Sequence, residues 1–427
     1  MPPVDERRVL VVGTTPDYID YIRGCRAGQA LFLTDPAVRR EAREPMPEPG
    51  EEILCDLSDA QAVERRLADH LDHWGMGLIG VACFDDESMA LAARLARDYA
   101  LPYPSMEAVA NCRDKYRSKI LWAAQDLTTP AVRKVASPEE ATAFWRAAGG
   151  PVVLKPIGGS GSELMFRCTS EADCGRHFRT IAEGLAQRQD NRLYQPCAAG
   201  GQGILAEALI AGEEFSCDFV LDNGRATVLR LTRKVRFEEE PFGTAKAYSL
   251  PEAWPDVLPD VLKGGGFEAL LVRSAQALGI ERAVCMLDFF IHDGRVVLLE
   301  MAPRPGGDCL PSLVRRCCQL DVLQLTLDLA CQKPFDQKPT APHPPMVGLR
   351  LHAPEEGTLA GIDDQALRRD PRVREIRLTR QPGHIIKRPP ADYDAWLLGH
   401  VLFVPDPRRD VASQCRELCR RLRIEVH

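Results

Sequence analysis

Two carboxylates stand alone in apolar, strand-like sequence: Asp288 in residues 284–291 and Glu300 in residues 295–301. Between these runs, His292-Asp293-Gly294 has the composition of a hairpin tip. An ionised carboxylate in a strand is costly to bury without a cation, so each acid needs a cationic partner or a metal. Loop length decides whether the two acids meet, because side chains alternate along a strand. A two-residue loop at Asp293-Gly294 pairs Asp288 with Leu299 and turns Glu300 to the opposite face. A three-residue loop, with Gly294 left-handed, pairs Asp288 with Leu298 and sets Glu300 a diagonal step away on the same face, roughly 7 Å or less between Cβ atoms. In that register the acids can share a magnesium ion. Arg304 follows Glu300 by four residues, and Pro305-Gly306-Gly307 then turns the chain with a backbone that a ligand can approach. Together these residues suit a metal-bound polyphosphate; an edge hairpin with salt-bridged acids is the plainer alternative.

A second group has phosphate-binding character. Residues 151–156 read as a strand carrying Lys155, followed at once by Ile157 and the loop Gly158-Gly159-Ser160-Gly161-Ser162. Such a loop offers backbone N–H groups to phosphate oxygens, and the lysine adds a point charge. GxxxxGK[ST] is absent and the lysine precedes the glycines, so this is not a Walker A loop. Lys115 sits in an Arg-Asp-Lys cluster on a helix, Glu207 in the strand 204–210, and Glu214 just past the turn Ala211-Gly212-Glu213. Solvated helix lysine and edge-strand charge are their plain readings.

The elements that position these groups are legible in order. Strands at 8–14 and 30–34 around a helix at 18–26, then a strand at 77–83 and a helix at 87–99, make a doubly wound α/β unit. Its first turn reads Gly13-Thr14-Thr15-Pro16, without GxGxxG, so a dinucleotide site has weak support. Ser137-Pro138-Glu139-Glu140 is a capping box opening a helix towards Gly149, and residues 170–187 form a second capped helix. The spacing predicts one long helix over 311–330, and the proline-rich residues 334–345 read as a semi-rigid linker to a compact α+β segment.

The 427 residues suffice for two or three domains. A net charge of −7 argues against nucleic acid or an anionic membrane as the main partner. No apolar run reaches spanning length and the N-terminus lacks a signal h-region, so a soluble cytoplasmic protein is expected. Fifteen cysteines without CxxC pairs read as free thiols rather than a zinc or disulfide framework.

The ordered set of Lys115, Lys155 before the glycine–serine loop, Glu207, Glu214, Asp288, Glu300 and Arg304 resembles the ATP-grasp superfamily, and the last 80 or so residues are similar to the C-terminal domain of its L-amino-acid ligases. The resemblance implies a Rossmann-like N-terminal domain (1–105), an ATP-grasp domain (106–335, with a lid subdomain at about 130–205) and a small α+β C-terminal domain (345–427). By it, Lys115 and Lys155 contact the ATP phosphates, Lys155 also lies near the adenine, and Gly158, Gly159, Ser160, Gly161 and Ser162 form a lid over the triphosphate. Glu207 and the Leu209 backbone make the adenine hinge, and Glu214 holds the ribose. Asp288 and Glu300 ligate two Mg²⁺, for which Mn²⁺ is a substitute. Arg304 steadies the transferring phosphoryl group, and the acid substrate sits by Arg304, Gly306 and Gly307. Ala302 stands where many members have asparagine, which removes one metal ligand and fits the dipeptide-forming branch.

The implied activity is ATP-dependent ligation of a small-molecule carboxylate to an amine, with amino acids as substrates and a homodimer as the assembly to test. A carboxylate attacks the γ-phosphorus to give an acyl phosphate, and an amine displaces phosphate; two anions must approach, which suits converging lysines, arginine and metal. The competing readings are an ATP-grasp carboxylase or formyl-phosphate transformylase, a catalytically silent nucleotide sensor, and, from the first βαβ alone, a nicotinamide oxidoreductase.

Overall fold

The first strand, Arg7–Val12, is buried from Val9 onward, as a strand covered on both faces must be. In the computed structural model, which describes residues 7–40, 42–194, 203–251, 254–336 and 344–427, it pairs in parallel with Ala30–Thr34 and Gly77–Ala82, and Glu52–Leu54 adds the outer edge. The helix Pro16–Cys25 starts at its proline, two residues before the expected Tyr18, because a fixed φ and a missing N–H suit the first helical position. It covers one face of this sheet together with apolar residues of Leu310–Cys318 and Val322–Ala330, so the N-terminal sheet shares its core with later chain.

Two helices expected to be continuous are broken, each by an aspartate. Residues 310–330 form two helices rather than one: Gln319 turns left-handed (φ +54°), and Asp321 accepts from the Leu323 and Gln324 amides to cap the second. Around Lys115 the chain divides into Met106–Arg113 and Lys115–Ala123, because Asp114 accepts from the Tyr116 and Arg117 amides. Lys115 is thereby the first residue of a helix, and its direction is set by that cap.

The segment expected as a lid subdomain forms an antiparallel sheet in the order Val132–Val135, Ile204–Ala208, Val152–Pro156, Phe166–Cys168, backed by Pro138–Ala148 and Glu171–Ala186. Residues 195–202, at the end of the expected lid segment, and 337–343 of the expected linker lie outside the described residues. The central sheet has eight strands: Arg295–Ala302, Ala283–His292, Glu213–Asp222, Arg225–Val235, Ala247–Leu250, Met346–His352, Leu397–Phe403 and Val373–Leu378, in that order. Three C-terminal strands therefore extend the same sheet that carries the acidic hairpin. Fourteen cysteines fall among the described residues, all of them free. No described helix is long and apolar enough to cross a membrane.

Candidate active site

Asp288 and Glu300 are direct cross-strand partners. Neither loop considered from the sequence produces this by itself. The turn is the two-residue Asp293-Gly294, both left-handed (φ +47° and +69°), with His292 paired to Arg295. That register alone would set Asp288 opposite Leu299. A β-bulge intervenes: Phe289 pairs with Leu298 and Asp288 with Glu300, so Leu299 is the extra residue. The bulged carbonyl of Leu299 accepts from Lys119 Nζ at 2.7 Å.

Cross-strand partners share a face, so Glu300, Asp288, Ser216, Thr232 and Lys234 lie on one side of the central sheet. Lys234 Nζ bridges Asp288 Oδ2 (2.5 Å) and Glu214 Oε1 (2.8 Å), and Arg236 also donates to Glu214. Lys115 Nζ lies 3.5 Å from Glu300 Oε2 and donates to the Gly159 carbonyl at 2.5 Å. Lys155 and Lys119 both reach Glu207, at 3.0 and 3.1 Å. The acids and bases of the site therefore pair with one another.

The electrostatics separate the two hairpin acids. Burial raises the Asp288 pKa, helped by Glu300 and Glu214 and only partly opposed by Lys234, so it stands above the ordinary value. Burial acts on Glu300 too, but Lys115, with Lys155 and Lys234 behind it, holds its carboxyl below the ordinary value. For Lys234 burial works against the charge, and the Asp288 and Glu214 carboxylates outweigh it and raise the pKa. Burial likewise opposes the Glu207 charge, and Lys119 and then Lys155 more than compensate, leaving it lowered.

The glycine–serine loop is already folded. Gly159, Gly161 and Ser162 are left-handed, and a Cβ on Gly159 would lie 2.9 Å from the Tyr194 ring. Ser162 Oγ donates to the Gly243 carbonyl at 3.0 Å, which joins the loop to residues 236–246. In the segment expected to meet the adenine, the Leu209 amide is engaged with the Pro151 carbonyl (3.1 Å). Arg304 points at Asp86 of the N-terminal domain, 2.9 Å from Nε and 2.5 Å from Nη2. Gly306 is required by packing: its amide donates to Asp218 Oδ1 (3.1 Å), and a Cβ would lie 2.7 Å from Arg230 Nη2. Gly307 faces open space.

The residues present fit a magnesium site of two protein carboxylates. Asp288 Oδ1 is buried without a hydrogen-bond partner, an orphan that a cation would satisfy. Among the described residues no three His, Cys, Asp or Glu side chains form a metal-binding group, and Ala302 supplies no donor. Phosphate oxygens and water, which Mg²⁺ prefers, would complete such a site. Sequence reading missed Lys119, Arg230, Asp218 and Asp86, and gave Lys234 no part in pairing with the acids. The available signal for Lys234, Asp218 and Arg230 was alternation in the strands 213–222 and 225–235.

Residues 148–312 match the model of the ATP-grasp domain, and residues 350–427 that of L-amino acid ligase C-terminal domain 2. The chain is 24% identical over 401 residues to "Uncharacterized protein y4rH" of Sinorhizobium fredii, covering 92% of this chain and 76% of that one. It is 27% identical over 237 residues to a D-alanine–D-alanine ligase of Aromatoleum aromaticum, covering 53% and 69%. The crystal structure of an L-amino acid ligase from Bacillus licheniformis shares the fold, with a TM-score of 0.74 over 99% of both chains at 18% identity. The hairpin acids and the lysine-backed glycine loop both fall within residues 148–312, an ATP-grasp domain, and residues 350–427 match the C-terminal domain 2 of the L-amino acid ligases.

Proposed function

We propose that this ATP-grasp ligase joins the carboxyl group of one amino acid to the amine of another through an acyl phosphate, releasing ADP and phosphate. The direct pairing of Asp288 with Glu300, ringed by Lys115 and Lys234, carries this reading. These acids would hold two Mg²⁺ ions, or Mn²⁺ in their place. When bound, the metal supplies Lewis-acid polarisation of the phosphoryl oxygens. Lys115 and Lys155 neutralise phosphate charge, and amides of 158–162 cover the chain from water. Glu207 and the Leu209 main chain meet the adenine, and Glu214, freed from Lys234, takes the ribose. Arg304 stabilises the transferring phosphoryl group, and the open side of Gly307 admits the acid substrate. No side-chain nucleophile is required.

A phosphate-release screen over pairs of L-amino acids, with mass detection of the product, tests this directly. Amide product with stoichiometric phosphate is the expected result, and Glu300→Ala should lower turnover by at least about 10³-fold while leaving the fold intact. Undiminished turnover in that variant would refute the metal assignment. Stimulation by bicarbonate or formate and not by amino acids would replace amide ligation with carboxylation or formyl transfer.

A further inference from the structure

Arg304 is held from outside its own domain. Its Nε and Nη2 each donate to one oxygen of Asp86, and its Nη1 donates to the Pro305 carbonyl at 2.8 Å. Both side chains are largely buried, with 11% of Arg304 and 16% of Asp86 exposed. Asp86 lies just beyond the strand Gly77–Ala82, at the carboxyl edge of the parallel sheet. There the strand order reverses about Arg7–Val12, and open α/β sheets present ligands at such a point. The Asp86 main chain is itself fixed: Arg113 Nη1 donates to its carbonyl, and Arg113 Nη2 donates to Leu193 (2.7 Å) and Arg192 (3.3 Å) carbonyls in the lid subdomain. Asp86 is therefore a node where the N-terminal domain, the lid and the arginine meet.

A guanidinium has five N–H groups. Three are committed to Asp86 and Pro305, which leaves one on each Nη for another acceptor. We propose that Asp86 is a positioning residue for phosphoryl transfer: it clamps Arg304 side-on so that these remaining N–H groups meet the transferring phosphoryl group. The inference rests on the role given to Arg304 above. A free arginine would lose rotamer entropy on meeting the phosphoryl group, whereas one already clamped has lost it on folding. The carboxylate also keeps a buried cation tolerable. Burial alone would raise the Asp86 pKa, but the charge of Arg304, then Arg113 and Lys115, holds it below the ordinary value, so the clamp is ionised at neutral pH.

Titration calorimetry with MgADP and with the magnesium complex of a β,γ-imido ATP analogue isolates what the γ-phosphoryl contact adds. Arg304→Gln should cost about tenfold in affinity for the imido analogue and leave MgADP affinity within about twofold. Asp86→Asn should show the same split, Asp86→Glu should recover part of it, and the double variant should lose no more than Arg304→Gln alone. An Asp86→Asn protein that keeps the wild-type ratio while Arg304→Gln loses it overturns the clamp and leaves the arginine's role standing. Retention of the ratio in Arg304→Gln removes that role, and the clamp with it. Equal loss for both nucleotides in Asp86→Asn would make Asp86 a structural tie between domains, against the proposal. If Asp86→Asn does not fold, Asp86→Glu carries the test, since its longer arm must displace the guanidinium, and an unchanged ratio would again count against the clamp.

Discussion

At the scale of single residues, the site places charge where a core would normally exclude it. Lys119 has no exposed side-chain surface, yet its ammonium joins Glu207 to the bulged Leu299 carbonyl. Burial pulls its pKa from 10.5 to about 8, and Glu207 restores only part of the loss. The folded protein then binds fewer protons at this residue than the unfolded chain between pH 8 and 10.5. The Lys119 contribution to stability therefore rises with pH across that window. Urea unfolding at a series of pH values should show wild type gaining on Lys119→Met there, by on the order of 3 kcal/mol. Parallel curves would mean that the lysine is not desolvated in solution. The bidentate Arg230–Asp218 pair is equally buried, and Asp218 also accepts from the Gly306 amide.

At the scale of elements, the lid is tied on two sides. Arg188, just past the helix Glu171–Ala186, reaches Glu163 at 2.7 Å and donates to the Pro390 (3.0 Å) and Ala391 (2.6 Å) carbonyls of the C-terminal segment. The Ser162–Gly243 bond holds the loop tip. These are polar contacts at a subdomain edge, the kind that opens locally before the core does. Arg188→Ala should loosen the lid, raise the KM for ATP several-fold and let water intercept the acyl phosphate. The measurement is phosphate released per amide formed. The ratio should exceed one in the variant, and a ratio of one would show that the tie does not guard the intermediate.

At the scale of the whole molecule, the last 80 or so residues do not form a detachable cap. Met346–His352 pairs with Ala247–Leu250 inside the central sheet, and Arg350 meets Asp308 at 3.1 Å, four residues past Arg304. A chain ending at residue 344 would leave Ala247–Leu250 as an unprotected apolar edge and uncover Phe237 and Ala247, which pack against Val347, Leu349 and Val401 in the intact protein. It should aggregate on size exclusion and give no ATP-stabilised melting transition. A soluble, nucleotide-binding fragment would show that the sheet closes without its C-terminal strands.

Local sequence determined which residues could do chemistry. The isolated acids Asp288 and Glu300, the lysine before the glycine loop, Arg304 and the turn after it are chemical types at short spacings, legible without coordinates. The cap at Asp114 is also a local signal, an aspartate before a helical run, but the continuous-helix reading passed over it. Tertiary structure alone decided how these groups meet. The Leu299 bulge turns the acids to one face, and no property of the hairpin's own alternation requires it. Lys119, 180 residues from Leu299, and Asp86, 218 residues from Arg304, enter through packing between separate elements. A contact over such a separation is set by how sheets and helices close on one another, and periodicity along the chain does not record it.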